Sequence, residues 1–520
     1  MDLAAILACY ALLLLLSVHG LHRALLVVRL LRHRPVDGGV GRAGPRPAPP
    51  PAAELPVVTV QLPLYDELYV VDRLLEAAAA LRWPREKLEI QVLDDSQDET
   101  VEAVRRKVAE LRARGFDARQ VRRRTREGFK AGALAFGLAG GDGEPPARGR
   151  FVAIFDADFV PRPDFLERTV PVLMADDGLA LVQARWDHLN RDHSLLTRVQ
   201  AVFLDAHFAV EHEARQRAGR FLNFNGTAGV WRREAIERAG GWSHDTLTED
   251  LDLSFRAQMA GMRFHYLNDL GVPSELPVEM NAFKGQQHRW AKGAIETSLK
   301  LLPTLLRRRD LPLGVRLEGA FHLTCNLAYP LMGLVSLLAL PVALAVERGA
   351  TEVPAALDGY LLGLGILPVL VFFLVGQLRV GRRLLPSLLL LPASLAIGVG
   401  LCVNNTRAVL EAAAGRRSPF VRTPKYRVDA RGDTWLGKKY RAARDLAPLL
   451  ELALGLGSGA ASWLCLRNGI LGLGLLDALF ASGYLYVGLH STMPAAMERL
   501  RHRLDRLLPA RLGGARPVSP

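Results

Sequence analysis

Apolar runs long enough to cross a membrane lie at both ends of this chain, and they constrain its fold more than any other feature. They lie at 3–31, 320–346, 358–378, 447–466 and 469–490. About 20 consecutive apolar residues suffice to span the hydrocarbon core of a bilayer as a helix. The first run is long for a signal-peptide core and lacks an obvious cleavage site, so we expect a retained transmembrane helix. The polar middle of the chain is therefore expected to lie between transmembrane helices.

Basic residues border these apolar runs and predict the orientation of the chain. The formal net charge is +13, and Lys and Arg concentrate at 29–34, 307–309 and 407–444. Because Lys and Arg beside transmembrane segments favour the cytosolic side, we expect the middle domain and the C-terminal tail in the cytosol and the N-terminus outside. In a bacterium this would be an integral protein of the inner, or plasma, membrane. The charge follows the membrane borders, which favours contact with membrane lipids and disfavours nucleic acid as a partner.

The apolar run at 384–406 fits this orientation less simply, because basic residues flank it on both sides. If both flanks are cytosolic, the run cannot cross and instead lies in, or re-enters, the membrane interface. The sequence predicts the following organisation. An N-terminal transmembrane helix at 1–34 is followed by a Pro/Gly linker at 35–54, a cytosolic domain at 55–300 and an interfacial helix at 301–319. A membrane domain at 320–495 has about four crossings and contains an interfacial or gating segment at 384–430, and a basic cytosolic tail follows at 496–520.

Between 55 and 300 the sequence alternates between strand-like and helix-like segments. Near-continuous apolar runs, typical of buried strands, lie at 57–64, 88–95, 150–158 and 179–186, with helical stretches such as 69–82 and 98–114 between them. Buried strands joined by crossover helices predict an α/β domain with a mainly parallel sheet and helices on both faces. In such sheets ligands bind beyond the carboxyl ends of the strands. Polar residues that follow a strand are therefore candidates for the functional site.

Acidic pairs follow the second and third of these strands. Asp94 and Asp95 end the second strand, and Asp156 and Asp158 end the third. With one residue between them, Asp156 and Asp158 can project to the same side of an extended segment. Their oxygens suit a hard divalent cation that also binds waters and phosphate oxygens. The alternative is that both pairs are turn residues that cap the following helices.

A third acidic cluster opens an amphipathic helix in "DTLTEDLDLSFRAQMAG" (245–261). Thr248 is placed to cap this helix, and Glu249, Asp250 and Asp252 would be ordinary partners of its dipole. Helix capping is therefore the local interpretation of these carboxylates. The wider order of motifs favours a functional role, because a lysine in "GFKAGAL" (128–134) precedes the cluster and "QQHRWAKG" (286–293) follows it.

Taken in order, Asp-Asp, Asp-x-Asp, Thr-Glu-Asp and Gln-x-x-Arg-Trp resemble the motifs of the inverting family 2 glycosyltransferases of the cellulose-synthase superfamily. The stretches "GFKAGAL", "VQARW" (182–186), "FNGTAGVWR" (224–232) and "QQHRW" resemble the plant cellulose-synthase-like A and C proteins, which are mannan and glucan synthases. The resemblance covers about 55–300 and implies a GT-A-like, nucleotide-sugar-binding domain. It extends to "FVRTPK" (420–425), which is similar to the gating loop of processive synthases, although Arg422 stands where that loop usually has Val or a similar residue.

On the donor side, the resemblance implies a role for each matching residue. Asp94 and Asp95 would hold the nucleoside, and Lys130 would reach the diphosphate. Asp156 and Asp158 would bind a Mg²⁺ or Mn²⁺ ion that bridges the diphosphate.

On the acceptor side, Asp250 would be the general base, with Glu249 supporting its position. The acceptor sugar would lie near Asn225, Gly226 and Thr227. The chemistry makes the same demands, because inverting transfer needs one base for the acceptor proton and positive charge for the departing diphosphate. A covalent nucleophile is not required, and the four cysteines lie in apolar runs, where we expect buried hydrophobic side chains.

The stretch "QQHRWAKG" lies just before an amphipathic segment at 294–309 that is expected along the membrane face. A polar helix end at that junction would need no further role. Amides and a guanidinium can also hold diphosphate oxygens, and an indole offers an apolar face to a sugar ring. We therefore place Gln286, Arg289 and Trp290 where donor and acceptor meet, with Trp290 facing both, and leave His288 and Lys292 without a functional role.

Other aromatic and histidine residues have simpler interpretations. Trp231 is expected in the core, and Trp186 is expected to pack rather than to stack on a sugar. His207 and His212 are expected to be helix-face histidines rather than ligands.

The leading hypothesis is a membrane-bound inverting hexosyltransferase that extends a β-linked glycan and passes it through its own membrane domain. The resemblance suggests GDP-mannose or UDP-glucose as the donor. A non-processive enzyme that adds sugar to a lipid at the membrane face would use the same catalytic residues. A transporter with a nucleotide-sugar sensor domain is a more remote alternative, because the C-terminal apolar runs contain few ionisable residues. Export or regulatory partners are not readable from the sequence.

Overall fold

The computed structural model describes residues 2–33, 51–349, 355–416 and 446–507, together with 418, 421–430, 432, 433, 435, 438 and 439. Most of the predicted linker at 35–54 and the end of the predicted tail lie outside the described residues. An α/β domain follows the N-terminal helix, and a group of long apolar helices follows the α/β domain.

The α/β domain is built on a seven-stranded sheet with the order β3-β2-β1-β4-β6-β5-β7. Its strands are β1 Val58–Leu64, β2 Leu88–Asp94, β3 Asp117–Val121, β4 Phe151–Ile154, β5 Leu179–His188, β6 Gly229–Arg232 and β7 Arg263–Ser274. Strands β1 to β4 are parallel, β5 and β7 are parallel to each other, and β6 is antiparallel to β4 and β5. The mainly parallel sheet is confirmed.

The predicted strands are present, with one difference at the third. Strand β4 ends at Ile154, so the run predicted to continue to 158 leaves the sheet four residues earlier than expected. Phe155–Asp158 form a turn instead, in which the N–H of Phe159 donates to the carbonyl of Asp156 at 3.0 Å. The sequence analysis missed β3, β6 and β7. Strand β3 carries three polar residues among five, which obscures an apolar pattern.

Helices cover both faces of the sheet because successive strand residues point in opposite directions. In β4, Phe151 and Ala153 belong to one apolar cluster, and Val152 and Ile154 belong to the other. Trp231 is fully buried in the second cluster, as expected.

The helices of the α/β domain are α2 Val71–Ala79, α3 Thr100–Ala113, α4 Phe129–Ala139, α5 Phe165–Met174, α6 Leu195–Ala206, α7 Glu213–Arg217, α8 Arg233–Arg238, α9 Glu249–Met259 and α10 Met280–Arg307. A π-helical turn, His207–His212, joins α6 to α7. The predicted helices at 69–82 and 98–114 correspond to α2 and α3.

The remaining helices are α1 Asp2–Arg32, α11 Leu313–Thr324, α12 Ala328–Glu347, α13 Ala355–Arg379, α14 Leu384–Gly400, α15 Cys402–Ala413, α16 Ala447–Arg467 and α17 Leu471–Leu507. Among the described residues, four segments are long and apolar enough to cross a membrane, namely Asp2–Arg32, Leu313–Glu347, Ala447–Arg467 and Leu471–Met493. Cys9, Cys402 and Cys465 lie in the apolar core of this helical group.

The ambiguous run at 384–406 forms two helices, α14 and α15, which meet at an angle of 41°. Together they are a broken span or a re-entrant loop, which matches the two interpretations of the sequence. The predicted interfacial helix at 301–319 is divided between the end of α10 and the start of α11. The number of crossings and the domain limits stay predictions.

Candidate active site

A pocket lies beyond the carboxyl ends of β1, β2 and β4, where a parallel sheet presents its ligand site. We call it the donor pocket. Its polar and aromatic lining residues are Tyr65, Glu67, Asp95, Arg126, Lys130, Asp156, Asp158, Phe159, Trp186, Asn225, Thr248, Glu249, Asp250, Gln286, Arg289, Trp290, Arg422, Thr423 and Lys425. Each of the three acidic motifs therefore contributes at least one carboxylate to this pocket, together with side chains of α10 and of the segment after α15.

Each carboxylate of the Asp-x-Asp pair contacts a lysine. Lys130 Nζ lies 2.5 Å from Asp156 Oδ1 and 2.8 Å from the carbonyl oxygen of Gly226. Lys425 Nζ lies 2.6 Å from Asp158 Oδ2. Burial raises the pKa of Asp156, although Lys130 acts against the shift. Burial disfavours the charged lysine as well, but Asp156, Glu249 and Asp250 outweigh that effect and raise the pKa of Lys130.

The carboxylates of Asp156 and Asp158 fit a divalent cation only in part. They supply hard oxygen ligands in a pocket that also holds cationic side chains for phosphate. Within the described ranges, however, no group of three or more His, Cys, Asp or Glu side chains could hold a metal ion. A cation here would complete its coordination with water and with donor phosphate oxygens, as Mg²⁺ does in many phosphate-binding sites.

Glu249 and Asp250 begin α9, where Glu249 is buried and Asp250 is half-buried. The N–H of Leu251 donates to Asp250 Oδ1 at 2.8 Å. Burial and the neighbouring carboxyl of Glu249 raise the pKa of Asp250 to about 7, which suits a general base at neutral pH. Burial also raises the pKa of Glu249, against the attraction of Lys130. The arrangement supplies a proton acceptor beside a cationic phosphate site.

The capping interpretation of this cluster is only partly correct. Thr248 occupies the N-cap position, but its side chain makes no capping hydrogen bond and lies 3.2 Å from the hydroxyl of Thr297. Asp252 forms ion pairs with Arg256 and Lys300. Asp252 is therefore structural, whereas Asp250 faces the pocket.

Gly226 packs directly against the proposed base. Its φ angle of 80° lies in the left-handed region. A Cβ atom on this residue would lie 3.0 Å from Asp250 Oδ2 and 3.2 Å from Lys130 Nζ. Glycine thus permits the backbone to come close to both functional side chains.

The structure separates the two aspartates that end β2. Asp94 lies behind the donor pocket, where its carboxylate accepts hydrogen bonds from Ser96 N at 2.9 Å, Gln120 Nε2 at 2.7 Å and Arg122 at 3.1 Å. Asp95 lines the pocket and pairs with Arg123 at 2.8 and 2.6 Å. Asp95 therefore lines the pocket in which a nucleoside would lie, whereas Asp94 supports the end of β2. The contact of Asp94 with a nucleoside stays a prediction.

The stretch "QQHRWAKG" lies within α10 rather than at a helix end. Gln286, Arg289 and Trp290 face the donor pocket. Arg289 donates to the carbonyl of Val421 and, at 3.1 Å, to the hydroxyl of Thr423. Burial lowers the pKa of Arg289 to about 10, so the guanidinium stays charged at neutral pH.

Lys292, which the sequence left without a role, is fully buried and attaches α10 to the end of α15. Its ammonium lies 2.6 Å from the carbonyl of Arg416 and 3.5 Å from Glu411.

The segment at 421–430 borders the donor pocket. Glu275, which follows β7, accepts from the N–H of Tyr426 at 2.8 Å and from that of Arg427 at 3.0 Å. Arg422, Thr423 and Lys425 of this segment line the pocket. The predicted gating segment therefore contributes cations to the site.

Several pocket residues were missed by the sequence analysis. Glu67 follows β1 and could have been found by the same strand-end rule that identified Asp156. Burial raises the pKa of Glu67 to about 7. Arg126 lies over the ring of Tyr65 at 3.4 Å, and no local sequence signal predicts that contact. Trp186 packs in the apolar core, as expected, and its ring also lines the pocket, 6.2 Å from Trp290 between ring centroids.

A second cavity of about 560 Å³ opens next to the donor pocket and extends among the apolar helices. We call it the membrane cavity. It is lined by α1, α12, α13, α14 and α17 through side chains such as Leu16, Met332, Ile366, Val399 and Phe480. Both cavities share Trp186, Asn225, Thr248, Asp250, Gln286 and Trp290. The proposed base therefore lies where the two cavities meet.

The predicted acceptor residues are not equivalent. Asn225 and Gly226 line the donor pocket, and Asn225 also lines the membrane cavity. Thr227 is fully buried, and its hydroxyl accepts from the backbone N–H of Asp156 at 2.9 Å. Thr227 therefore positions the Asp-x-Asp turn and does not reach the acceptor side.

Family models match much of the chain. One described as Glycosyl transferase family group 2 matches residues 151–393, and one described as Glycosyl transferase family 2 matches residues 59–240. Glucomannan 4-beta-mannosyltransferase 1 of Oryza sativa subsp. japonica is 40% identical over 324 residues, 61% of this chain and 61% of that protein. Glucomannan 4-beta-mannosyltransferase 2 of Arabidopsis thaliana is 45% identical over 259 residues, 50% of this chain and 48% of that protein. The chain thus spans between about half and three-fifths of these relatives.

A solved structure shares the fold. The mannosyltransferase PcManGT from Pyrobaculum calidifontis, in complex with GDP-Man and Mn²⁺, aligns with a TM-score of 0.51 at 20% identity. The alignment covers 79% of this chain and 100% of the other. At this identity the likeness shows the GT-A-like fold alone.

Proposed function

This chain belongs to the family 2 glycosyltransferases of the cellulose-synthase superfamily, close to the cellulose-synthase-like A proteins, and we propose that it is a membrane-bound inverting hexosyltransferase. It transfers a hexose from a nucleotide sugar to the end of a growing β-glycan. The observation that carries this proposal is the position of Asp250. The base stands between a cationic pocket suited to a nucleoside diphosphate and a long cavity suited to an acceptor chain.

The transfer needs one proton acceptor and no covalent intermediate. The acceptor hydroxyl oxygen attacks the anomeric carbon of the donor, the bond from that carbon to the diphosphate breaks, and Asp250 takes the hydroxyl proton. Because Asp250 has a pKa of about 7, a large fraction is ionised at neutral pH. Glu249 holds that pKa up by its proximity.

Cationic side chains would stabilise the departing diphosphate. Lys130, Arg289 and Lys425 all line the donor pocket, and positive charge at a leaving phosphate lowers the barrier to its departure. Asp156 and Asp158 would hold a Mg²⁺ or Mn²⁺ ion, which supplies further positive charge to the diphosphate when bound. The lysines on these carboxylates would then turn toward the phosphates.

The donor is proposed to be GDP-mannose, with UDP-glucose as the alternative. Mannosyl transfer is named for the relatives described above, and GDP-Man is bound in the solved structure of similar fold. Tyr65 and Asp95, which follow β1 and β2, line the pocket together with Arg126 and would meet the nucleoside.

The membrane cavity supports a polymer product that passes among α1, α12, α13, α14 and α17. Its apolar walls would also accept the hydrocarbon chain of a lipid, so synthesis of a glycolipid is the second candidate. In either case the α/β domain would lie on the cytosolic side, where nucleotide sugars are made. The number of crossings belongs to this proposal as well.

The test uses the full chain purified in detergent. It is incubated with GDP-mannose, UDP-glucose, GDP-glucose or UDP-N-acetylglucosamine, each with Mg²⁺, Mn²⁺ or a chelator. Release of nucleoside diphosphate and the size of the product are measured together. We expect release with one hexose donor that requires a divalent cation, and a product of high molecular weight. A glycolipid with one or two sugars would favour the second candidate, and absence of transfer from every donor would contradict the enzyme proposal.

A further inference from the structure

The structure places an imidazole beside the acceptor residues, where the sequence predicted only a helix-face histidine. His207 begins the π-helical turn that joins α6 to α7. Such turns are rare and occur frequently at functional sites. Its side chain is 25% exposed and lines the membrane cavity next to Asn225. The ring is therefore accessible from the cavity rather than sealed in the core.

The contacts of the ring define which nitrogen carries the proton. His207 Nδ1 lies 3.3 Å from Glu211 Oε2, and Nε2 lies 3.0 Å from Asn225 Nδ2. A carboxylate only accepts hydrogen bonds, so Nδ1 carries the proton of the neutral ring and donates to Glu211. Nε2 is then free to accept from the amide of Asn225. His212 Nε2 also lies near it, at 3.1 Å.

Glu211 is itself fixed by cations from two parts of the chain. Arg23 of α1 lies 2.7 Å from Glu211 Oε2, and Arg215 forms a further ion pair with Oε1. Burial alone would favour the protonated carboxyl, but Arg215 and Arg23 outweigh it and hold the pKa of Glu211 well below its usual range. Glu211 thus stays an acceptor for His207, and the N-terminal helix contributes to its position.

Asn225 connects this cluster to the reacting atoms. It lines both cavities, and the next residue, Gly226, packs against Asp250 and Lys130. An amide at this point is within the part of the site where the acceptor hydroxyl must lie for Asp250 to remove its proton. The orientation of the amide then depends on His207.

We propose that His207 is a positioning residue for the acceptor, which orients the Asn225 amide and so places the acceptor hydroxyl toward Asp250. The inference rests on the proposed function above and adds a residue to its acceptor side. It also assigns Glu211 and Arg23 as the groups that hold the imidazole in place.

The test compares transfer to an acceptor with hydrolysis of the donor by water. His207→Phe keeps a ring against Phe208, whose centroid lies 5.0 Å from that of His207, but loses the contacts of the ring nitrogens with Glu211, Asn225 and His212. His207→Gln keeps a polar group of similar reach. His265→Phe is the matched control, because His265 is a buried imidazole of β7 outside both sets of lining residues. Each protein is assayed with a short β-linked oligosaccharide and with the donor alone.

For His207→Phe we expect the ratio of transfer to hydrolysis to fall about tenfold, chiefly through a higher acceptor KM, because about one hydrogen bond is lost from the bound acceptor complex. The donor KM and the donor-only rate are expected within about twofold of wild type. His207→Gln is expected to recover most of the ratio, and His265→Phe to keep the wild-type ratio.

An unchanged ratio in His207→Phe, an equal fall in transfer and hydrolysis, or the same loss in His207→Gln would overturn the inference. If His207→Phe does not fold, Glu211→Gln provides the test, because the neutral amide that replaces the Glu211 carboxylate no longer holds the proton on Nδ1 of His207. A ratio lowered about threefold is then expected, because a weakened hydrogen bond contributes less than a lost one, and an unchanged ratio overturns the inference. Absence of wild-type transfer would contradict the proposed function itself, which separates the two failures.

Discussion

The donor pocket is lined by charged side chains of the α/β domain and of the segment at 421–430, whereas the membrane cavity is lined mostly by apolar side chains of the long helices. The two share Asp250, Asn225 and Trp290. A departing diphosphate carries negative charge and needs fixed cations, while a chain that must move needs walls that hold it weakly. The difference indicates a site that binds the diphosphate strongly in the donor pocket and holds the glycan chain weakly in the membrane cavity.

The largest effect on activity is expected when the proposed base, which lies where the two cavities meet, is replaced. Asp250→Asn keeps the shape of the side chain but cannot accept the hydroxyl proton. We expect transfer to fall by about 10³-fold, within the range attributed to general bases, while nucleotide binding by calorimetry changes little. Asp252→Asn, on the same helix but paired with Arg256 and Lys300, is the control and should retain transfer. A wild-type rate of transfer in Asp250→Asn would contradict the assignment of Asp250 as the general base.

The pH dependence tests whether the base has the environment that the structure gives it. Asp250 must be ionised to act, and its pKa is about 7, so kcat/KM should rise by about tenfold between pH 6 and pH 8. In Glu249→Gln the neighbouring carboxyl is lost, the pKa of Asp250 falls, and the rise should move to lower pH. A profile that is flat over this interval would contradict the role of burial and of Glu249.

A substitution in the membrane cavity should affect the product and not the donor. Ile366 of α13 lines the cavity, and Ile366→Trp would narrow it. We expect a shorter polymer, because an indole ring at this position leaves less room for the glycan in the cavity, with donor-only hydrolysis unchanged. Leu367→Trp places the same ring at a neighbouring position that is 59% exposed and should leave product length unchanged. Equal product lengths in both variants would mean that the glycan does not pass through this cavity.

The smallest effect on activity is expected within the Asp-Asp pair. Asp94→Asn breaks a buried set of hydrogen bonds and should cost about 1–3 kcal/mol of stability with donor KM nearly unchanged. Asp95→Asn should instead raise donor KM several-fold, and it should also lower stability because it weakens the buried ion pair with Arg123. Thermal unfolding and donor titration distinguish them, and a raised donor KM in Asp94→Asn would restore the role first given to it.

Many residues of the donor pocket could be predicted from the sequence. Asp156, Asp158, Glu249 and Asp250 stand in short motifs, and the strand-end rule places the first two of them at the ligand edge of the sheet. The family resemblance drawn from those motifs is confirmed. The same rule does not distinguish Asp94 from Asp95, because a one-residue difference at a strand end decides whether a side chain faces the pocket or the neighbouring strand β3.

The family resemblance, the mainly parallel character of the sheet, the acidic motifs and the apolar segments could be predicted from the sequence, since each depends on residues that are near one another along the chain. The tertiary structure alone decided that Lys425 reaches Asp158, that Trp186 and Glu67 line the pocket, and that His207 meets Asn225. These contacts join residues from distant elements, and no local pattern encodes them. They form only when α1, the sheet and the long helices pack together, and that packing also creates the cavity beside Asp250.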